Sequence, residues 1–130
     1  MSFLLALFMV GWTEVPDEHG WQRLLSSPDE LNDFEFHPGT MKRSGDLVQI
    51  WSRSNIVSFD TATAAFSKHG RYFRLSEIDC RRKLIREIRT VARKNNGGRA
   101  EEETQPATEF APVLDGSIGG YLEQVACTKR

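Results

Sequence analysis

The sequence predicts an α+β domain, a small antiparallel β-sheet with a C-terminal α-helix packed on it. Three observations carry that expectation. Thr40-Met41-Lys42-Arg43, then Ser44-Gly45-Asp46, then Leu47 to Arg53 reads as a β-hairpin. Gly45 can take the positive φ of a tight turn, and the second strand is rich in β-branched and aromatic residues. Arg71 to Cys80, with Tyr72, Phe73, Leu75 and Ile78, reads as another strand. Near the end, Ile118, Tyr121, Leu122, Val125 and Ala126 recur at helical spacing and form one apolar stripe, with Ser117 placed to cap.

The remaining elements follow in chain order. Trp12 to Val15 predicts a short strand ended by Pro16. Ser27-Pro28-Asp29-Glu30 is a helix-start signature: a capping serine, a proline suited to the first helical position and an acid three residues after the cap. Phe34-Glu35-Phe36-His37 alternates like a strand, and Pro38-Gly39 is expected to break it. Asn55 to Ser67 is ambiguous and reads as a loop. Asn95-Asn96-Gly97-Gly98 predicts a turn, and Glu101 to Pro106 a polar loop.

Residues 81–93 fit two patterns. Leu84, Ile85, Ile88, Val91 and Ala92 follow the spacing of an amphipathic helix, with arginines on its other face. As a strand, Leu84, Arg86, Ile88 and Thr90 would share a face, a poorer match on the residues alone.

The 130 residues fit one domain, at residues 12–130, long enough for a core of its own. Residues 1–11 are separate in character. Phe3 to Val10 is an apolar run, far shorter than the roughly 20 residues of a spanning helix and matched to the apolar stretch of a secretory signal. No Lys or Arg precedes it and no Ala-x-Ala follows it; residues 1–11 read as a partial signal peptide in preference to a buried N-terminal strand or helix, and a start upstream of Met1 would supply the missing basic region. With no cysteine there, no lipid anchor is expected in that segment.

The net charge of −1 gives no global bias toward nucleic acid or anionic lipid, but the charge is unevenly spread. Glu14 to Glu35 holds seven acids and one base, whereas Arg81 to Lys94 holds seven bases and one acid. The basic run, Arg81, Arg82, Lys83, Arg86, Arg89, Arg93 and Lys94, is the candidate binding patch. It reads first as a solvated face partly paired with the acidic N-terminal half, and more sharply as a surface for an acidic protein, a polyanion or a lipopolysaccharide phosphate. A basic helix gripping DNA is the remote alternative.

Cys80 and Cys127 are the only cysteines. They read as a structural staple, which implies an oxidising compartment. A cysteine nucleophile would need a base and an orienting partner, and His19, His37 and His69 show no such signature. A metal site would need further ligands, and none has cluster spacing. Trp12, Trp21, Trp51, Phe34, Phe36, Phe73 and Tyr121 read as core aromatics, with Trp21 the most exposed.

Several phrases, taken in order, resemble one family. They are Phe34-Glu35-Phe36 to Thr40, Arg43-Ser44-Gly45-Asp46-Leu47-Val48-Gln49-Ile50-Trp51, Glu77-Ile78-Asp79-Cys80-Arg81 with Arg86 downstream, and Pro112-Val113 to Gly116-Ser117 and Cys127. Together they resemble the surface-adhesin protein E family of Gram-negative bacteria, over most of the chain from Trp12 on. The resemblance implies an antiparallel sheet with a C-terminal helix, tied by a Cys80–Cys127 disulfide. It also implies a strand after Cys80, and a strand is expected at 81–93 on that ground, since tertiary context overrides propensity. The family's namesake is an outer-membrane lipoprotein adhesin for host matrix and serum proteins, vitronectin and laminin among them. Three positions depart from the pattern: the lipid-bearing cysteine is missing, Gly120 stands where an acid is common three residues after the capping serine, and Phe110 stands where Trp is common.

The expected function is therefore a non-enzymatic exported protein of the periplasm or cell surface, needing no cofactor or metal. Its expected partners are host or envelope proteins or polyanions, not nucleic acid, and membrane association would require an anchor upstream of Met1. The alternative is a periplasmic structural or assembly protein, as a homodimer or packed on other envelope components.

Overall fold

A computed structural model describes residues 14–26, 31–94, 101–104 and 109–128. The expected apolar segment at 1–11, Trp12, the helix start at 27–30 and the turn at 95–98 lie outside the described residues. Among the described residues seven strands form one antiparallel sheet, curled into a half-barrel: β1 (Gln22–Ser26), β2 (Asp33–Ser44), β3 (Leu47–Asp60), β4 (Ala65–Asp79), β5 (Leu84–Lys94), β6 (Glu101–Thr104) and β7 (Ala111–Pro112). The first six pair in sequence order, and β7 pairs with the end of β5 at Leu84 and Ile85. One helix follows, α1 (Ile118–Cys127). The class is α+β as expected, with far more sheet than a small one.

The β2–β3 hairpin forms where expected. Ser44 pairs with Leu47, and Gly45 has φ +63° while Asp46 does not enter positive φ. That is the pattern of a type II′ turn, whose twist matches its strands. Pro38-Gly39 does not end the strand, contrary to expectation: β2 runs through both to Ser44. The β2–β3 register shifts between His37 and Lys42, and an interrupted ladder is where a residue without an N–H is tolerated.

Residues 55–67 are not a loop. β3 continues to Asp60, a turn follows at 61–64, and β4 starts at Ala65. Ile56, Val57, Phe59 and Phe66 supply the β-branched and aromatic side chains that extend the ladder. The far end of this hairpin is exposed over residues 58–68. There Phe59 and Phe66 pair across the strands, ring centroids 4.9 Å apart and edge to face, with about half of each exposed.

Residues 84–94 form a strand, as the resemblance implies and the periodicity does not. Glu101–Thr104 is a strand rather than a polar loop, laid beside Thr90–Arg93. Within it Glu103 meets the basic run of β5, where Arg89 Nε donates to Glu103 Oε2 at 2.8 Å. Glu14 and Val15, expected in a strand, have no regular structure; Val15 packs on the sheet instead.

The sheet buries both faces. On one, Phe36, Val48, Ile50 and Ile78 pack against Leu122, Ala126 and the disulfide. On the other, Trp51, Phe73, Leu75 and Val91 form a second core under Val15 and Trp21. Trp51, Ile50, Leu75, Ile78, Val48 and Val91 are almost fully withdrawn from water, each contributing about 1.5–3 kcal/mol of apolar burial. Trp21 is half-buried against His37 and Phe73, under the guanidinium of Arg53. Tyr121, expected in the core, is 38% exposed.

Cys80 begins the β4–β5 turn and Cys127 ends α1. Their sulfurs are bonded at 2.04 Å, with Cα atoms 5.6 Å apart. Both sulfurs are used in the bond, which closes the nucleophile and metal readings of these two residues. Around it, Cys80 N donates to Asp46 O at 2.8 Å, joining two turns, and Arg43 Nη2 donates to Ala126 O at 2.6 Å, satisfying a carbonyl of the last helical turn. The start of α1 is held by Ser117, whose Oγ accepts from Gly120 N at 3.1 Å and donates to Leu114 O at 2.5 Å.

Candidate functional site: a cavity between sheet and helix

The basic run is largely spent on local pairs. Arg82 meets Asp79 at 3.2 Å, Arg86 meets Glu77 directly across the strands at 2.6 Å, and Arg89 meets Glu103 at 2.8 Å. Arg86 also lies over the Phe110 ring, 4.5 Å from its centroid, and Arg93 over Phe73 at 5.2 Å. Arg81, Lys83 and Lys94 are exposed and make no ion pair among the described residues. The run is divided between the two ends of β5: Arg81, Arg82 and Lys83 sit in the turn before it, Arg93 and Lys94 at its far end. The acids of the N-terminal half pair elsewhere, Glu18 with Arg53 and Arg71, Glu35 with Arg53, and Asp33 with Arg23.

Asp79 organises the β4–β5 turn. Its Oδ1 accepts from the backbone N–H of Arg81 at 3.1 Å and of Arg82 at 3.0 Å, and Oδ2 accepts from Arg82 Nε at 3.2 Å. The backbone N–H of Arg82 above all, then the Arg82 side chain and the Arg81 N–H, hold the Asp79 carboxyl below its ordinary range, against the opposing effect of burial. This is a structural turn, with Lys83 at φ +57°.

Sequence reasoning missed a different place. Helix α1 covers only part of its sheet face, over Val48, Ile50 and Ile78. Beyond it the same face continues along β3 as Ser52 and Ser54, along β4 as Ser76, Arg74 and Tyr72, and along β5 as Glu87 and Thr90, by the alternation of side chains and the strand register. A cavity of about 600 Å³ opens there. Ser52, Ser54, Ser76, Arg74, Tyr72 and Glu87 line its floor, Phe34 and Asn32 one edge, and Ile85, Ile118, Gly119 and Leu122 its apolar end against the helix. That volume lies in the usual range for small-molecule sites, about 300–1,000 Å³.

The polar floor is ordered. Arg74 Nε stands 3.3 Å from Glu87 Oε2, and Arg74 Nη1 donates to Ser54 Oγ at 3.3 Å. Glu87 Oε1 accepts from Thr90 Oγ1 at 2.9 Å, and the Arg74 guanidinium lies 4.9 Å from the Tyr72 ring centroid. At the edge, Asn55 N donates to Asn32 Oδ1 at 3.1 Å, which fixes the segment before β2. Ser52 and Ser76 are different. They are 8% and 4% exposed, they line the cavity, and their hydroxyls make no hydrogen bond among the described residues. Neither hydroxyl is among the fully buried unpartnered atoms, so each is reached from the cavity. The unpartnered buried atoms Gln49 Oε1 and Trp51 Nε1 lie on the opposite face, away from the cavity.

No family model, curated protein or solved structure matches this chain. The site therefore rests on its own geometry. Its one signal in the sequence is Ser52-Arg53-Ser54 with Ser76, small hydroxyl residues at strand centres where a core face would carry Val or Ile and a solvated face a longer side chain.

No histidine lines this cavity. His37 is on the other side of the sheet, with Nε2 donating to His19 O at 2.8 Å and Nδ1 2.9 Å from Thr40 Oγ1. The arrangement can hold a molecule by hydrogen bonds at one end and apolar contact at the other.

Proposed function

We propose that this chain is a non-enzymatic binding module of an exported, oxidising compartment, and that it holds its ligand in the cavity between the sheet and α1. The observation that carries the reading is the pair of hydroxyls on the largely buried residues Ser52 and Ser76, which open onto that space and make no hydrogen bond among the described residues. A closed sheet face would fill these positions or pair them. The disulfide supports export, as do the apolar segment at 1–11 and the resemblance to the surface-adhesin protein E family. On this reading the cavity, rather than the basic run, is the recognition surface, because Arg82, Arg86 and Arg89 are engaged within the fold.

One observation favours a second reading, a structural or assembly protein of the envelope. The exposed Phe59–Phe66 pair at the end of the β3–β4 hairpin is an apolar tip that packing on a neighbour would cover.

Nile red fluorescence tests the cavity reading. The dye binds the native protein at one site, and Ser76→Leu, which fills the floor, removes that binding while thermal unfolding stays cooperative. Equal dye binding by both proteins refutes the reading. Free-thiol titration of the native protein made in its own cells tests export, which predicts no titratable thiol; two thiols would refute it.

A further inference from the structure

We infer that the cavity takes a neutral, polyhydroxylated ligand, a short uncharged oligosaccharide. The inference rests on the cavity being the binding site and goes on to name what it binds.

Charge balance is the first ground. The floor contains one cation and one anion, Arg74 and Glu87, paired at 3.3 Å, and Glu109, exposed at the margin, adds a second carboxylate that would repel an anion. Of the other arginines at the margin, Arg53 is committed to Glu35 at 2.6 Å and Arg86 to Glu77 at 2.6 Å. An anionic ligand attracted to Arg74 would meet Glu87, and a cationic one attracted to Glu87 would meet Arg74. Neither would gain what a site built for charge supplies.

Hydrogen-bond chemistry is the second. The guanidinium donates only, the carboxylate accepts only, and the serine hydroxyls do both. A sugar hydroxyl also donates and accepts, so vicinal hydroxyls can bridge Arg74 and Glu87 while others reach Ser52 and Ser76. An acyl chain in the same space would cover those accessible hydroxyls without pairing them, which is costly. The apolar end at Ile118 and Leu122 suits the C–H face of a pyranose ring, since sugars are amphipathic across the ring plane.

The test is a glycan array of neutral and anionic oligosaccharides, probed with the full native chain, followed by calorimetric titration with the best binder. Titration with palmitate and the Nile red measurement run alongside. A neutral oligosaccharide is expected to bind, Ser76→Ala to weaken it about five- to tenfold, and Ser76→Leu to abolish it. Glu87→Gln is expected to weaken neutral binding and to admit anionic glycans, because Arg74 loses its counter-charge. Binding confined to anionic glycans, or to palmitate, overturns the inference. Nile red binding without any glycan overturns the ligand class and leaves the cavity reading standing; failure of both overturns both. Ser76→Ala removes one oxygen and keeps the fold testable should Ser76→Leu not fold.

Discussion

Arg74 and Glu87 face each other on adjacent strands with Nε 3.3 Å from Oε2, and each is also tied to a hydroxyl, Arg74 to Ser54 and Glu87 to Thr90. The side chains remain 35% and 43% exposed, so the attraction is screened. A double-mutant cycle with Arg74→Met and Glu87→Gln is expected to give a coupling of about 0.2–1 kcal/mol in urea unfolding. A coupling several times larger would mean that the pair holds the sheet together, rather than standing ready for a ligand.

The bond between Cys80 and Cys127 closes a loop with a separation of 47 residues. Loop-closure entropy sets its contribution at about 4 kcal/mol. The Cys80→Ser, Cys127→Ser double variant should lose about that much stability in urea at neutral pH, a large part of what a small domain has. The Arg43–Ala126 hydrogen bond would then be the nearest remaining tie on that end of α1, so amides of Val125 to Thr128 should lose hydrogen-exchange protection first. Unchanged stability would refute the staple.

How far these features could be read in the sequence depends on which local rule dominated. The Gly45 hairpin and the Ser117 cap were legible because one residue settles each: Gly45 by its positive φ and Ser117 by its bond to Gly120 N. β5 was illegible by periodicity for a physical reason. It is an inner strand at least half-buried on both faces from Leu84 to Ala92, and its register with β4 shifts between Leu75 and Ser76, so that Leu75 pairs with Arg89 and Ser76 with Glu87. Ile88 is the extra residue. Ile85 packs with the helix-side core, and Ile88 and Val91 with the opposite one. Two apolar faces and one bulge together imitate the spacing of a helix. Pro38 misled for the same kind of reason, because a register shift made room for it. The cavity was illegible because Ser52 and Ser76 become neighbours only through the β3–β4 register, and a hydroxyl left open to a cavity is a property of the fold, not of a motif.

Gly119 and Gly120 are adjacent in α1 yet predict opposite outcomes. A Cβ on Gly120 would lie 2.5 Å from the carbonyl oxygen of Leu114, a backbone atom that cannot step aside cheaply. A Cβ on Gly119 would meet Ile85 Cδ1 at 3.4 Å, an ordinary contact. Gly120→Ala should therefore cost about 1–3 kcal/mol. Gly119→Ala should be neutral or raise stability by up to about 1 kcal/mol through helix propensity. Thermal unfolding of the two single variants decides it, and equal shifts would refute the close approach.

Asp79 gives the fold an acid-sensitive turn. Its carboxylate accepts from Arg81 N, Arg82 N and Arg82 Nε, and these interactions lower its pKa from an ordinary value of 3.8. A depressed pKa means that the folded state favours the charged form. The stability gained is present in full above the unfolded value, near pH 4, and is lost as pH falls through the lower folded value. Asp79→Asn should thus be less stable than the native chain near neutral pH, and the gap should narrow as pH falls below about 4. Urea midpoints measured for both proteins at neutral and at acid pH check this. A gap that stays constant with pH would show that the turn depends on the shape of the Asp79 side chain and not on its charge.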